Sequence, residues 1–229
     1  MLNIKTADTY ILDDGSIFSK SVNNDEEVFI TVGDLKNYIT VTDEEILEKK
    51  EFEESLNSFK TNNKDEKRYL AKTAVELDYV INLFIRIIQK LNLENEEDIK
   101  IDYIRMCFLD SLTVNKDRVS GNFGLVKKKN KFTFAPLFDS STISYPGVDD
   151  NLVQINKYFI DRNDLLNYVV NKYPHYINDI LNIDMKNVKQ SLGMLSSKVL
   201  NEKDREWFDS MVTNRIPTNL EQSNQYFSI

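Results

Sequence analysis

One cysteine and one histidine in 229 residues leave little room for several chemistries. A zinc site draws its ligands largely from those two residue types, and a Ser-His or Cys-His hydrolase needs a base beside its nucleophile. Neither set assembles here. Cys107 lies between Met106 and Phe108 in an apolar helical stretch and reads as a small core residue; His175 follows Pro174 and reads as an ordinary loop position. A lone cysteine also excludes an intrachain disulfide and favours a reducing compartment. The six glycines form no Gly-x-Gly-x-x-Gly or Gly-x-x-x-x-Gly-Lys run, so no glycine-rich phosphate loop is visible. No apolar run approaches the roughly 18 residues that cross a bilayer, and the start of the chain lacks a basic-then-apolar signal. The expectation is a cytoplasmic protein without membrane contact. A net charge of −8 argues against a general nucleic-acid surface, because phosphate neutralisation needs a basic face.

Apolar periodicity supplies the framework. Residues 8–22 alternate around Asp13-Asp14-Gly15-Ser16 and predict a tight hairpin, and Val28-Phe29-Ile30 with Leu35 predict a short apolar element near Gly33. Thr42 or Asp43 caps a solvated outer helix carrying Ile46, Leu47 and Phe52. From Lys64 to Leu93 apolar residues, Tyr69 and Leu70 among them, recur every three or four positions, which predicts one long helix. A second helix begins at Asn95-Glu96-Glu97-Asp98, turns Ile101, Ile104, Cys107, Phe108 and Leu109 inward, and runs toward residue 110. Helices are also expected over Asp161–Lys172, Met185–Val199 and Lys203–Asn214, a turn at Tyr145-Pro146-Gly147, and a polar tail from Ile216.

The segment Asp110 to Ser144 carries the chemistry. Asp117 and Asn122 are separated by four residues, and Asp139 follows two short strands, Phe123 to Val126 and Phe132 to Ala135, joined by a lysine-rich tip and stopped by Pro136. That is a layout for phosphoryl transfer. One aspartate orients an attacking hydroxyl, an amide oxygen holds a metal ion, and a second carboxylate holds the ion that bridges nucleotide phosphates. The plainer alternative is that these residues only build turns, where asparagine and aspartate are common for backbone reasons. The lysine run is read as a charged hairpin tip.

Asn115-Lys-Asp117-Arg118-Val-Ser-Gly-Asn122-Phe-Gly124, followed by Ala135-Pro136-Leu-Phe-Asp139, resembles the catalytic and metal-binding loops of HipA-type serine/threonine kinases, over about 35 residues. The pattern of that family is close to Asn-x-Asp-Arg-His-x-x-Asn-Phe-Gly and then Ala-Pro-x-x-Asp. The resemblance implies a catalytic role for Asp117, with Asn115 and Arg118 supporting the loop by a hydrogen bond and by charge compensation. It implies that Asn122 and Asp139 bind the nucleotide through Mg2+, with ATP as phosphate donor. Val119 departs from the pattern, standing where the family has histidine, which puts the loop geometry in question.

The implied fold is α+β and mostly helical: a protein-kinase-like C-lobe over residues 41–215, preceded by a hairpin and hinge-like segment at 1–40 and followed by a tail at 216–229. Most of a small N-terminal lobe is expected to be missing, with residues 8–22 as its last strands and Lys5 and Lys20 as the candidates for its nucleotide-binding lysine. The implied function is phosphorylation of a serine or threonine on a protein substrate, as a toxin-type regulator held by an antitoxin or as the large-lobe half of a split kinase completed by a partner chain. An RNA antitoxin stays open. The alternatives are a non-catalytic kinase-like binding module and a lipid or small-molecule phosphotransferase.

Overall fold

The computed structural model describes residues 26–60, 67–138 and 151–181, together with Ala7 and two short strands, β1 (Thr9–Ile11) and β2 (Ile17–Ser19). Asp139, Lys5, Lys20, the expected turn at 145–147, the helices expected over Met185–Val199 and Lys203–Asn214 and the tail from Ile216 lie outside the described residues. β1 and β2 pair antiparallel, with Tyr10 opposite Phe18, as the alternation around Asp13-Asp14-Gly15-Ser16 predicts.

The chain then enters β3 (Glu27–Thr31) and the short helix α1 (Val32–Leu35), which continues into a 3-10 turn at Lys36–Tyr38. Helix α2 (Asp43–Ser55) is capped by Thr42, whose hydroxyl accepts from the Glu45 backbone N–H while Glu45 reaches back to the Thr42 N–H. None of its side chains is buried, in keeping with the solvated outer helix its charges predict. Strands β4 (Asn57–Lys60) and β5 (Lys67–Ala71) follow, and then helix α3 (Ala74–Leu91).

The long helix expected from Lys64 therefore begins ten residues later, and Tyr69 and Leu70 belong to a strand. Thr73 and Glu76 form a reciprocal capping box that sets the start of α3. Ahead of that cap, β5 pairs in parallel with β9 (Tyr158–Asp161), Tyr69 standing opposite Tyr158 and Ala71 opposite Ile160. A partner some 90 residues away in the chain overrides the local helical spacing.

Helix α4 (Glu96–Thr113) forms the centre of the core. Ile99, Tyr103, Ile104, Met106, Cys107, Phe108 and Leu112 are all buried, on a spread too wide for one face of a surface helix, while Ile101 and Leu109 are half-buried against the same core. Burial pushes the Cys107 thiol far above its ordinary range, so it stays a protonated packing group. Around α4 sit α3, the hairpin β6 (Gly124–Lys128) and β7 (Lys131–Phe134), the hairpin β8 (Leu152–Ile155) and β9, and helices α5 (Arg162–Lys172) and α6 (Pro174–Leu181). Asp161 caps α5 by accepting from the N–H groups of Asn163 and Asp164. His175 lies in α6 rather than in a loop, because Pro174 occupies the first helical position, where its missing N–H costs nothing.

Two sheets flank the segment of interest. One has the order β3-β6-β7, all antiparallel; the other has the order β4-β5-β9-β8. Where β3 meets β6, a Cβ on Gly124 would come within 2.1 Å of the Ile30 carbonyl oxygen, so only glycine lets the two backbones approach at that point. At the tip of the β6–β7 hairpin Lys128 pairs with Glu26 and Glu27, consistent with a charged surface turn. Among the described residues, no helix is long and apolar enough to cross a membrane.

Candidate functional site

Residues 114–123 link the end of α4 to β6, and Asp110, in the last turn of α4, organises them. A carboxylate at the C-terminal end of a helix faces the negative pole of the helix dipole, so burying it there requires a strong compensating cation. Arg118 supplies it, with Nε on Asp110 Oδ2 at 2.9 Å and a terminal nitrogen on Oδ1 at 3.0 Å, both side chains being almost wholly buried. Burial works against the guanidinium charge. The Asp110 charge and its two hydrogen bonds outweigh it, so the Arg118 pKa is raised and the group stays charged.

Asp110 has further partners. Its Oδ1 accepts from Asn115 Nδ2 at 2.8 Å, and its backbone oxygen accepts from the N–H groups of Val114 and Asn115. To close the helix in this way Val114 adopts a left-handed conformation, φ 56° and ψ 51°, uncommon for a β-branched residue and costing about 1–3 kcal/mol. The surrounding hydrogen bonds hold it there. Asn115, fully buried, turns its Oδ1 to the N–H of Asp117 at 2.9 Å.

Arg118 also spans the loop. One terminal nitrogen donates to the carbonyls of Asn122 at 2.8 Å and Phe138 at 3.1 Å. The guanidinium thereby joins the end of α4, the loop, and the residue immediately before Asp139. From the other side, β8 closes against the loop through Gln154 N–H on Asn115 O at 2.9 Å and Asn156 N–H on Arg118 O at 2.7 Å. A turn closed by Asn122 N–H on Val119 O at 2.9 Å forms without a histidine at 119.

Asp117 and Asn122, unlike Asn115 and Arg118, are half-buried and so reach solvent. The Asn122 amide nitrogen donates to Asp117 O at 2.8 Å and lies 3.4 Å from Asp117 Oδ2. A carbonyl accepts only, so this bond fixes which end of the amide faces Asp117. Its Oδ1 is left with no protein donor among the described residues. A free amide oxygen beside a carboxylate is the kind of hard oxygen donor that magnesium prefers, and in that respect the residues fit the ion.

Four of the five residues singled out from the sequence, Asn115, Asp117, Arg118 and Asn122, are thus brought into one hydrogen-bonded loop, and Asp139 lies outside the described residues. Asp110 lies outside the motif and has no role in the family pattern. An acid in the final turn of a helix faces the unfavourable pole of the dipole, but α4 carries other charged residues along its length, so that position alone does not single Asp110 out.

No family model matches the chain, and no curated protein matches it. Among solved structures, the crystal structure of a Helicobacter pylori proinflammatory kinase, CtkA, aligns with 100% of this chain and 83% of its own at a TM-score of 0.56 and 17% identity. The chain is α+β, rich in helix with small sheets, and its fold is similar to that of a kinase.

Proposed function

We propose that this protein is a HipA-like serine/threonine kinase that transfers the γ-phosphoryl group of ATP to a protein hydroxyl. The observation that carries the reading is the division of labour in the loop: Asp110, Asn115 and Arg118 are buried and mutually bonded, while Asp117 and Asn122 face outward, coupled to each other. A rigid buried base holding two outward polar groups is what positioning catalysis requires, since phosphoryl transfer depends on alignment and charge more than on covalent chemistry.

Asp117 accepts the hydrogen bond of the acceptor hydroxyl and takes its proton as the oxygen attacks the γ-phosphorus. The new O–P bond forms as the bond to the β–γ bridging oxygen breaks, and the electron pair leaves with ADP. Asn115 holds Asp117 through the backbone N–H, and Arg118 ties the loop to the carbonyl of Phe138, the residue before Asp139. Asn122 Oδ1 and the Asp139 carboxylate are the ligands proposed for Mg2+, which when bound neutralises charge developing on the phosphates.

Incubation with γ-labelled ATP and magnesium, alone and with the product of the adjacent reading frame, is expected to label protein on serine or threonine. Asp139→Asn is expected to abolish magnesium-dependent nucleotide binding. Nucleotide binding without any labelled product would instead support a kinase-like binding module, and label on a lipid or small molecule would redirect the acceptor class.

A further inference from the structure

A cavity of about 380 Å³ opens beside the loop, on a side that Asp117 and Asn122 do not line. Its wall is apolar, formed by Val80, Leu83, Phe84 and Ile87 of α3 with Phe123 and Ile155. Val41, 43% exposed, also lines it and adds an apolar edge that water reaches. At about 380 Å³ it lies at the lower end of the range of about 300–1,000 Å³ for ligand pockets, room enough for one large apolar side chain.

The charges around it are uneven. Lys36, Lys49, Arg86, Lys90 and Lys157 line the cavity, against Glu45 and Glu48. Arg86 is neutralised by Glu48 at 2.9 Å and Lys90 by Glu45 at 2.5 Å, while Lys157 shares its charge with Glu53 at 2.6 Å. Among the described residues no salt bridge engages Lys36 or Lys49; Lys36 is exposed, and Lys49 keeps part of its stem in solvent while its ammonium turns toward the cavity lining. The groups sense one another: the Lys49 pKa is lowered, first by burial of its ammonium and then by the charges of Lys157 and Lys36, with Glu53 opposing. Like charges gathered at an apolar opening, on a chain whose net charge is −8, mark a local site for an anion.

The cavity also touches the catalytic loop. Ser120 lines it, as do Asn156 and Lys157, and the Asn156 N–H is bonded to the Arg118 carbonyl. Ser120 is three residues from Asp117, at most about 11 Å of chain at 3.8 Å per Cα step. An extended peptide covers that span in about three residues.

We propose that this cavity docks an acidic peptide segment through one large apolar side chain, with carboxylates against Lys36 and Lys49, and that the segment belongs to the phosphate acceptor. The apolar wall takes the anchor, the lysines select charge, and the neighbouring loop receives the hydroxyl a few residues away. The acceptor assignment rests on the kinase reading; the docking does not.

Fluorescence anisotropy without nucleotide separates the two. The probe is a fluorescein-labelled peptide of glutamate and serine around a central phenylalanine, compared with the same peptide carrying lysine for glutamate or alanine for phenylalanine. The acidic phenylalanine peptide is expected to bind, each altered peptide at least 10-fold more weakly, and the Lys36→Glu/Lys49→Glu protein at least 10-fold more weakly while preferring the lysine peptide. Equal binding to wild type and the charge-reversed protein, or no dependence on phenylalanine, overturns the docking site, as does capture of phosphatidylserine vesicles with no peptide binding. Docking as expected, with no phosphate transferred to the bound peptide from labelled ATP, retains the site and removes its link to catalysis.

Discussion

Charged side chains meet in two very different settings in this molecule. Behind the loop, Asp110 and Arg118 are almost wholly buried and share two parallel hydrogen bonds, the carboxylate also holding the Asn115 amide and the guanidinium the carbonyls of Asn122 and Phe138. Between α2 and α3, Arg86 meets Glu48 at the same 2.9 Å distance, but each side chain is nearly half exposed. Distance alone would rank them equal. The difference lies in what happens when one partner is removed: water rescues the surface survivor, while the buried one is left as an uncompensated charge with severed links to the loop.

The sharpest way to break the comparison is Arg118→Ala. It strands Asp110 in the core and releases the carbonyls of Asn122 and Phe138, so a loss of about 3–5 kcal/mol is expected in denaturant unfolding. A loss below about 1 kcal/mol would place the two ion pairs in the same class.

Glu53 stands between the extremes. Burial raises its pKa, but the hydrogen bonds from Lys157 and Tyr158 lower it by more, so the net shift is below the ordinary value of 4.5. A carboxylate depressed on folding adds stability that is fully present above about pH 4.5 and is lost as the pH falls through its folded value. An acid-side decline of about 1 kcal/mol is therefore expected between pH 6 and pH 3, beyond that of a Glu53→Gln variant measured in parallel. Identical curves would mean that the Lys157 contact is no stronger than a surface pair.

Glu48→Gln is expected to cost the least, about 0.5 kcal/mol or less, and less still in high salt. A larger, salt-independent loss would show that α2 depends on this contact for its docking against α3.

The same contrast explains what was legible in the sequence. Local patterns were readable: the hairpin at 8–22, the Thr42 cap of α2, the course of α4, the β6–β7 hairpin with its charged tip, and α5. Each depends on neighbours within a few residues. The spacing of Tyr69 and Leu70 continues the helical repeat of α3 and so predicts helix, while their partners in β9 lie far along the chain; the Thr73–Glu76 capping pair is the local cue to the true start. Pro174 likewise marks the start of α6, which places His175 in a helix although its neighbours on the chain suggest a loop. At the site, the outward residues were visible from their motif spacing. Asp110 was not, since its role depends on Arg118 folding back on it, and nothing in its own neighbourhood announces that bond.

The central claim is that the buried set builds the loop and Asp117 performs the transfer. Asp117→Asn separates the two most directly, when the rate of phosphate transfer and the unfolding free energy are measured on the same protein. The account predicts a rate reduced by a factor on the order of 10² or more, with stability within about 0.5 kcal/mol of wild type. Unchanged transfer in a folded Asp117→Asn protein would contradict it.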